Sequence, residues 1–430
     1  MRRIGDSTVA RKDFPYPIQY FSCKDYDKDP LQTKLELMYL TKLDLDHTGA
    51  IVGETGLPGL FMDFNNGLRI QLPKGAWHVT IRDGDSGITV YDQDISEQIL
   101  VSWEKYHIRW QVDIYLEGSL VFSHEFDPAG QKVRIVLTTR LLGDTLATLP
   151  YVPLFQQYYQ ASVSYWTPME WLQELCRHLL PDIPQEREQG EETYATFYIN
   201  PAFYLPSISP FDGRMVPMTD WGKIILKLYE PAPPLQWPAG PRQIKEPYVC
   251  ISVQASSVVK GWLYPNGWDE VVAFLKGQGY RVLCIDKASH QEDAGLGIAI
   301  DCPRGAEDFT GDRSIIERGN MLSHADFFIG LGSGLSWLAH TVGCPVVMIC
   351  GFSMYWSEFP TPYRVYNPLA CSACYNDVHV FWHKTICPYH KKDSPEFLSC
   401  QRKISPKMVI QAIQRLQTDL STKKVCTHER

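Results

Sequence analysis

Four cysteines near the C-terminal end, Cys371, Cys374, Cys387 and Cys400, follow the spacing C-x2-C-x12-C-x12-C. Thiolates are soft ligands, and one close pair joined by two distant members can close a tetrahedral cage around zinc or a single iron. Four protein ligands fill that shell, so the metal would cross-link the chain and leave no position for water or substrate. His379, Trp382, His383, Tyr389 and His390 fall between the cysteines, and residues 371–400 read as a metal-pinned finger. The opening residues MRRIGDSTVARKDF carry no apolar stretch behind their arginines. A cytoplasmic chain with reduced thiols is therefore expected, in which clustered cysteines point to a metal.

Three further constellations stand at strand-to-helix junctions. In RLLGDT, Gly143 allows close backbone approach and Asp144 opens a helix, where a carboxylate can act as general base on an acceptor hydroxyl; the same residue also suits a helix cap. In GLGSGLS, Gly330, Gly332 and Gly334 alternate with Leu331 and Ser333 ahead of Leu335 and Ser336. Small residues there leave backbone N–H groups open to a phosphate at a helix N-terminus, or serve only to pack a tight turn. Lys260, just beyond the strand YVCISVQ, is placed to put a point charge on the same phosphate. The pairs Asp44/Asp46, Asp83/Asp85 and Asp92/Asp94 have the form that holds a divalent ion on a diphosphate, but all lie N-terminal to these junctions and read as structural, with Asp83-Gly84-Asp85 as a hairpin turn.

The elements that must carry these residues fall into three regions. From about 58 to 126, short alternating runs such as AWHVTIRD and IRWQVDIYL are broken by NNG, DGDSG and EGS, giving a mainly antiparallel β domain over 1–130, barrel or sandwich. Before it, LQTKLELMYLTKLD has helical spacing. From 131 to 235, VRIVLTT, ATLPYVPLFQQYY, SVSYW and PMEWLQELCRHL alternate strand with helix, which predicts a parallel sheet with crossovers. A second such set occupies 248–430, with YVCISVQ, YRVLCID, IAIDC, DFFIGLG and PVVMICG as strands. Residues 230–247 hold six prolines and read as an interlobe linker.

Composition bounds the function. A formal net charge of -8 argues against general nucleic-acid binding, which needs a basic footprint. No run of about 18 apolar residues is present, so no membrane span is expected. With 44% hydrophobic and 21% charged residues the chain is globular, and 12 Trp with 23 Tyr suit sugar stacking or subunit contacts as well as cores.

At TTRLLGDTLATLP, VVKGWLYPNGWDEVVAFL and IGLGSGLSWLAHTVGCPVVMICG the chain resembles bacterial heptosyltransferases. The N-terminal β domain and four-Cys finger are similar to the autotransporter branch, which modifies Ser and Thr of surface adhesins before export. That resemblance implies a GT-B fold of two Rossmann-like lobes, inverting transfer from an ADP-heptose donor to an autotransporter adhesin, and no catalytic divalent metal. It also implies one structural iron per chain, where spacing alone allows zinc, and a large homo-oligomer. Asp144 matches the general base, and Lys260 with Gly332, Ser333, Gly334 and Leu335 matches the donor-phosphate region. Arg313 or Arg318 is expected to reach the nucleotide. Transfer to a lipopolysaccharide core sugar, or a non-catalytic nucleotide- or adhesin-binding subunit, are the alternatives.

Overall fold

The computed structural model describes residues 15–23, 49–187, 192–199, 207–380 and 387–428. The helix expected over 31–44, the pair Asp44/Asp46, Trp382 and His383 lie outside them. The strands expected between 58 and 126 form, but they divide between two sheets. Thr89–Ile95, Trp77–Asp83, Trp110–Leu116 and Ser119–Glu125, in that order, make a four-stranded antiparallel sheet. In the strand Trp110–Leu116 the alternate residues Trp110, Val112 and Ile114 are buried and Leu116 partly so, and the outer strand Ser119–Glu125 is largely exposed.

The remaining N-terminal strands belong to the first lobe. Its seven-stranded sheet runs Ile18–Phe21, Gln98–Ser102, Arg69–Leu72, Phe61–Asn65, Ala195–Ile199, Lys132–Leu137, Ser162–Trp166. The last three strands are mutually parallel, and Ala195 and Thr196 join them to Phe64 and Asn65. The expected boundary at residue 130 therefore does not coincide with a sheet boundary. Burial supplies the reason: Phe61–Asn65 and Gln98–Ser102 are almost continuously buried, as strands covered on both faces are, while the turns between them gave the cue for one separate antiparallel domain.

The second lobe holds a six-stranded parallel sheet in the order Glu307–Asp308, Arg281–Cys284, Tyr248–Ile251, Phe328–Leu331, Val346–Ile349, Arg364–Val365. IAIDC, expected as one of its strands, departs from it. Ile298–Asp301 pairs antiparallel with His290–Asp293 in a separate hairpin, and only alternate residues, Ile298 and Ile300, are buried. That half-exposed pattern suits a hairpin, not an interior parallel strand.

One apolar cluster extends from Phe64 and Ile70 through Ile135, Leu137 and Phe155 of the first lobe into Trp337, Phe352 and Tyr375 of the second. A second cluster packs Val409, Ile413 and Leu416 of the C-terminal helix Pro406–His428 against the second sheet. The proline-rich segment 230–247 forms neither helix nor strand. It is pinned at Trp237, whose indole N–H donates to Asn320 Oδ1 at 3.0 Å and whose ring lies where a Cβ on Gly319 would come within 2.1 Å. Among the described residues no helix is long and apolar enough to cross a membrane.

Candidate active site between the lobes

The strand Lys132–Leu137 ends in a turn that opens the helix Leu142–Thr148. In the second lobe Phe328–Leu331 likewise feeds the helix Gly334–Thr341. The two helices meet face to face across the lobes, and two glycines permit it. A Cβ on Gly143 would fall 2.9 Å from the Trp337 ring, and one on Gly334 would fall 2.8 Å from Leu142 Cβ. Gly332 is constrained from behind, since its Cβ would lie 2.8 Å from Cys350 Sγ and 2.9 Å from Glu358 Oε1. The turn thus needs glycine for packing as well as for backbone access, and both readings of the motif hold at once.

Between these helix ends lies a cleft of ≈ 580 Å³, lined by Asp144, Lys260, Gly332, Ser333 and Gly334 together with Thr139, Trp171, Glu358 and Tyr375. Five residues singled out by sequence are thereby brought together from both lobes. Leu335 does not line the cleft; its side chain packs against the core, and its backbone N–H belongs to the first, unpaired turn of the helix. Ser333 is the N-cap, and its buried hydroxyl has no hydrogen-bond partner among the described residues. A buried donor left open beside a helix N-terminus is what an anionic ligand would satisfy.

Asp144 is the third residue of its helix, while the N-cap position belongs to Leu141 and carries no side-chain cap bond. Among the described residues its carboxylate accepts one hydrogen bond, from Thr139 Oγ1 to Oδ2 at 3.1 Å. Burial pushes its pKa up to about 6, opposed by the Thr139 hydroxyl and by the positive charge of Lys260. The base is therefore mostly ionised at neutral pH, yet basic enough to take a proton. Lys260 ends a short turn, Val258–Lys260, capped by Ser257, and its amine sits 4.9 Å from the centre of the Phe352 ring.

Glu358, Trp171 and Tyr375 carried no signal in the sequence. Glu358 is buried behind the glycine turn, accepting from Ser353 Oγ at 2.8 Å and from Arg364 Nη1 at 2.6 Å, so its charge is compensated. Trp171, on the helix Glu170–Leu179, presents a partly exposed ring on the first-lobe side of the cleft. Tyr375 approaches from the second lobe; burial first, then the negative charge of Asp144, holds its phenol well above the ordinary value.

Arg313 and Arg318 do not line the cleft. The Arg318 guanidinium donates to the carbonyls of Ile285, Asp286, Gly311 and Arg313, and Arg313 pairs with Glu317. Asp83 closes a hairpin through Asp85 N and Ser86 Oγ, and Asp92 and Asp94 flank His78 on an exposed sheet face. None of these carboxylates lines the cleft.

Cys371, Cys374, Cys387 and Cys400 surround a second, smaller cavity of ≈ 20 Å³. Among the described residues no three His, Cys, Asp or Glu side chains close on one point as ligands. The donor set nevertheless fits a thiolate-bound metal. Burial raises the Cys400 pKa, followed by the proximity of Cys374, Cys371 and Cys387, and a cation among the four would reverse that repulsion. Lys260 and Phe352 line both cavities, and the neighbours Cys374 and Tyr375 line one each. The finger is thus the back wall of the cleft. Arg214 of the first lobe fastens it: at 1% exposure, its guanidinium binds Asp212 and donates to the carbonyls of Asp377 at 2.9 Å, Val380 at 3.0 Å and Val378 at 3.3 Å.

Residues 56–118 match the family model described as the N-terminal domain of glycosyltransferase TibC, and residues 229–368 match glycosyltransferase family 9 (heptosyltransferase). The autotransporter heptosyltransferase BAHTCr of Citrobacter rodentium is 38% identical over 379 residues, 85% of this chain and 91% of that protein. BimC of Burkholderia thailandensis, an inactive autotransporter heptosyltransferase, is 31% identical over 372 residues, 84% and 87% of the two chains. The crystal structure of TibC from enterotoxigenic Escherichia coli, an iron-containing dodecameric glycosyltransferase, is similar with TM-score 0.80 at 34% identity, covering 85% of this chain and 97% of that one. A second structure of TibC, in complex with ADP-D-β-D-heptose, agrees to the same extent.

Proposed function

Because the chain belongs to the autotransporter heptosyltransferase family, we propose that it transfers heptose from ADP-heptose to Ser or Thr hydroxyls of a surface autotransporter adhesin, with inversion at the anomeric carbon. The observation that carries this reading is Asp144, ionisable near neutrality, in one cleft with Lys260 and the helix end at Ser333 and Gly334. The acceptor oxygen attacks the anomeric carbon as its proton passes to Asp144. The bond from that carbon to the diphosphate oxygen breaks, and ADP leaves with the electron pair. Lys260 and the N–H groups of Gly334 and Leu335 stabilise the leaving charge, so no divalent ion is assigned a step. The first lobe, to about residue 235, is the acceptor side in this reading, and 248–430 is the donor side. Closure between them excludes the water that would hydrolyse the donor.

Cys371, Cys374, Cys387 and Cys400 are the residues that would hold one iron, which would supply a cross-link and no open coordination site. TibC is dodecameric, and a large homo-oligomer is proposed here on that likeness. The action is placed in the cytoplasm, before export of the acceptor.

The test is intact-mass measurement of a candidate adhesin co-expressed with the protein or with its Asp144→Asn variant. Heptose-sized increments that vanish with the variant support the proposal. A second reading is kept by one observation, the inactive relative BimC: donor binding without turnover on either adhesin peptide or lipopolysaccharide-core acceptor would favour a non-catalytic subunit. Turnover on the core acceptor alone would favour a lipopolysaccharide enzyme.

A further inference from the structure

We propose that Thr139 is a positioning residue for the reaction, aiming one oxygen of Asp144 at the acceptor hydroxyl by holding the other. This rests on the reading of Asp144 as general base. A hydroxyl has one proton to donate and two lone pairs. Thr139 Oγ1 accepts from the backbone N–H of Leu141 at 3.0 Å, which fixes the oxygen, and its proton goes to Asp144 Oδ2 at 3.1 Å. Among the described residues no hydrogen-bond donor reaches Oδ1, the oxygen left for the acceptor's proton. Both residues line the cleft. Thr139 stands just beyond the strand Lys132–Leu137 and Asp144 in the first turn of the next helix, so the bond spans the β–α turn and ties the carboxylate to the sheet.

The hydroxyl does a second thing. A hydrogen bond to the charged form favours ionisation, and here, with the charge of Lys260 and against the Tyr375 phenol from the second lobe, it opposes the burial that drives Asp144 toward the protonated acid. Removing it lets the carboxyl rotate and titrate later. The effect is specific to pH and rotamer, which separates it from a loss of fold.

The experiment measures the pH profile of kcat and kcat/KM for heptose transfer by the full-length protein and its Thr139→Val, Thr139→Ser and Asp144→Asn variants. With Thr139→Val the acidic limb should move up by about one to two pH units, the range set by a hydrogen bond to a charged group. The rate at pH 6.5 should then fall roughly tenfold and recover only in part at pH 9, the remainder being the loss of aim. Thr139→Ser should keep the wild-type limb. ADP affinity at pH 9, where Asp144 and Lys260 keep their charges, should be unchanged in both threonine variants. Should Thr139→Val not fold, Thr139→Ala removes the same hydroxyl with a smaller side chain and is held to the same profile. An acidic limb that stays at the wild-type position in the valine or alanine variant overturns the proposal, as does full recovery of the rate at pH 9 or a serine variant that behaves like valine. Failure of the general-base reading is a different result: Asp144→Asn retaining activity, whatever Thr139 does.

Discussion

Replacing Asp144 by Asn makes two demands on the same side chain that pull in opposite directions. Asn keeps an oxygen for the Thr139 hydroxyl and nearly the same volume, so the cleft should persist while the proton acceptor is lost. A positioned base contributes roughly 10²- to 10⁴-fold, and transfer should fall by that amount. Stability should rise. A carboxyl raised by burial from 3.8 to about 6 costs the fold nothing below the unfolded pKa, and the cost grows as pH climbs through the folded value. At ~1.4 kcal/mol per pH unit this reaches about 3 kcal/mol above pH 7. With an unfolding entropy of ~2.1 cal/mol/K per residue over 430 residues, the melting temperature should gain about 3 °C at pH 8 if the lobes unfold together, and nothing near pH 3.5. Paired transfer assays and calorimetric scans at the two pH values check both halves. A variant that keeps more than about a tenth of the wild-type rate, or whose melting difference is the same at both pH values, would refute the reasoning.

Other expectations follow from the same geometry. His107 is buried between the rings of Tyr159 and Phe197, neither ring nitrogen is paired among the described residues, and burial lowers its pKa to about 3. It should therefore stay neutral in the fold while the unfolded chain takes up a proton below pH 6.5. Stability from this group is complete above pH 6.5 and falls by up to about 5 kcal/mol as pH drops toward 3, and His107→Phe should flatten acid unfolding followed by circular dichroism. ADP should compete with the donor and UDP only poorly; equal inhibition in a competition assay removes the ADP-heptose assignment while sparing the glycosyltransferase one. Cys→Ser at 371, 374, 387 or 400 should lower the metal content, expected as one iron per chain by elemental analysis, and should weaken assembly before ADP binding. A single variant that keeps metal, oligomer and full activity counts against the structural role.

The reach of the sequence followed the range of the interactions involved. Asp144, Lys260 and the turn at Gly332 were legible because a β–α junction is a local pattern, and parallel sheets put all such junctions on one edge. The Cys spacing was legible for the same reason. Thr139, Trp171, Glu358 and Tyr375 were not, because their place at the cleft depends on how two lobes dock. Arg313 and Arg318 have the composition of nucleotide ligands, yet the structure spends the donors of one on carbonyls and pairs the other with Glu317. The sheet shared across residue 130 escaped as well: nothing in FMDFN or QILVS names a parallel partner far along the chain.

The clamp at Arg214 bears on how the protein is made. Its carbonyl partners at 377–380 come from the far end of the chain, so the ribosome releases the first lobe long before they exist. Until then the guanidinium lacks these three acceptors, at a site that ends almost without solvent. A buried charge missing part of its hydrogen-bond shell is strongly unfavourable. Those carbonyls must therefore be in place by the time the site loses its water, so the burial of Arg214 and the docking of residues 371–380 occur together. A chain truncated at the linker should expose that guanidinium and melt below the full-length protein, and adding residues 248–430 as a separate fragment should raise its melting temperature again.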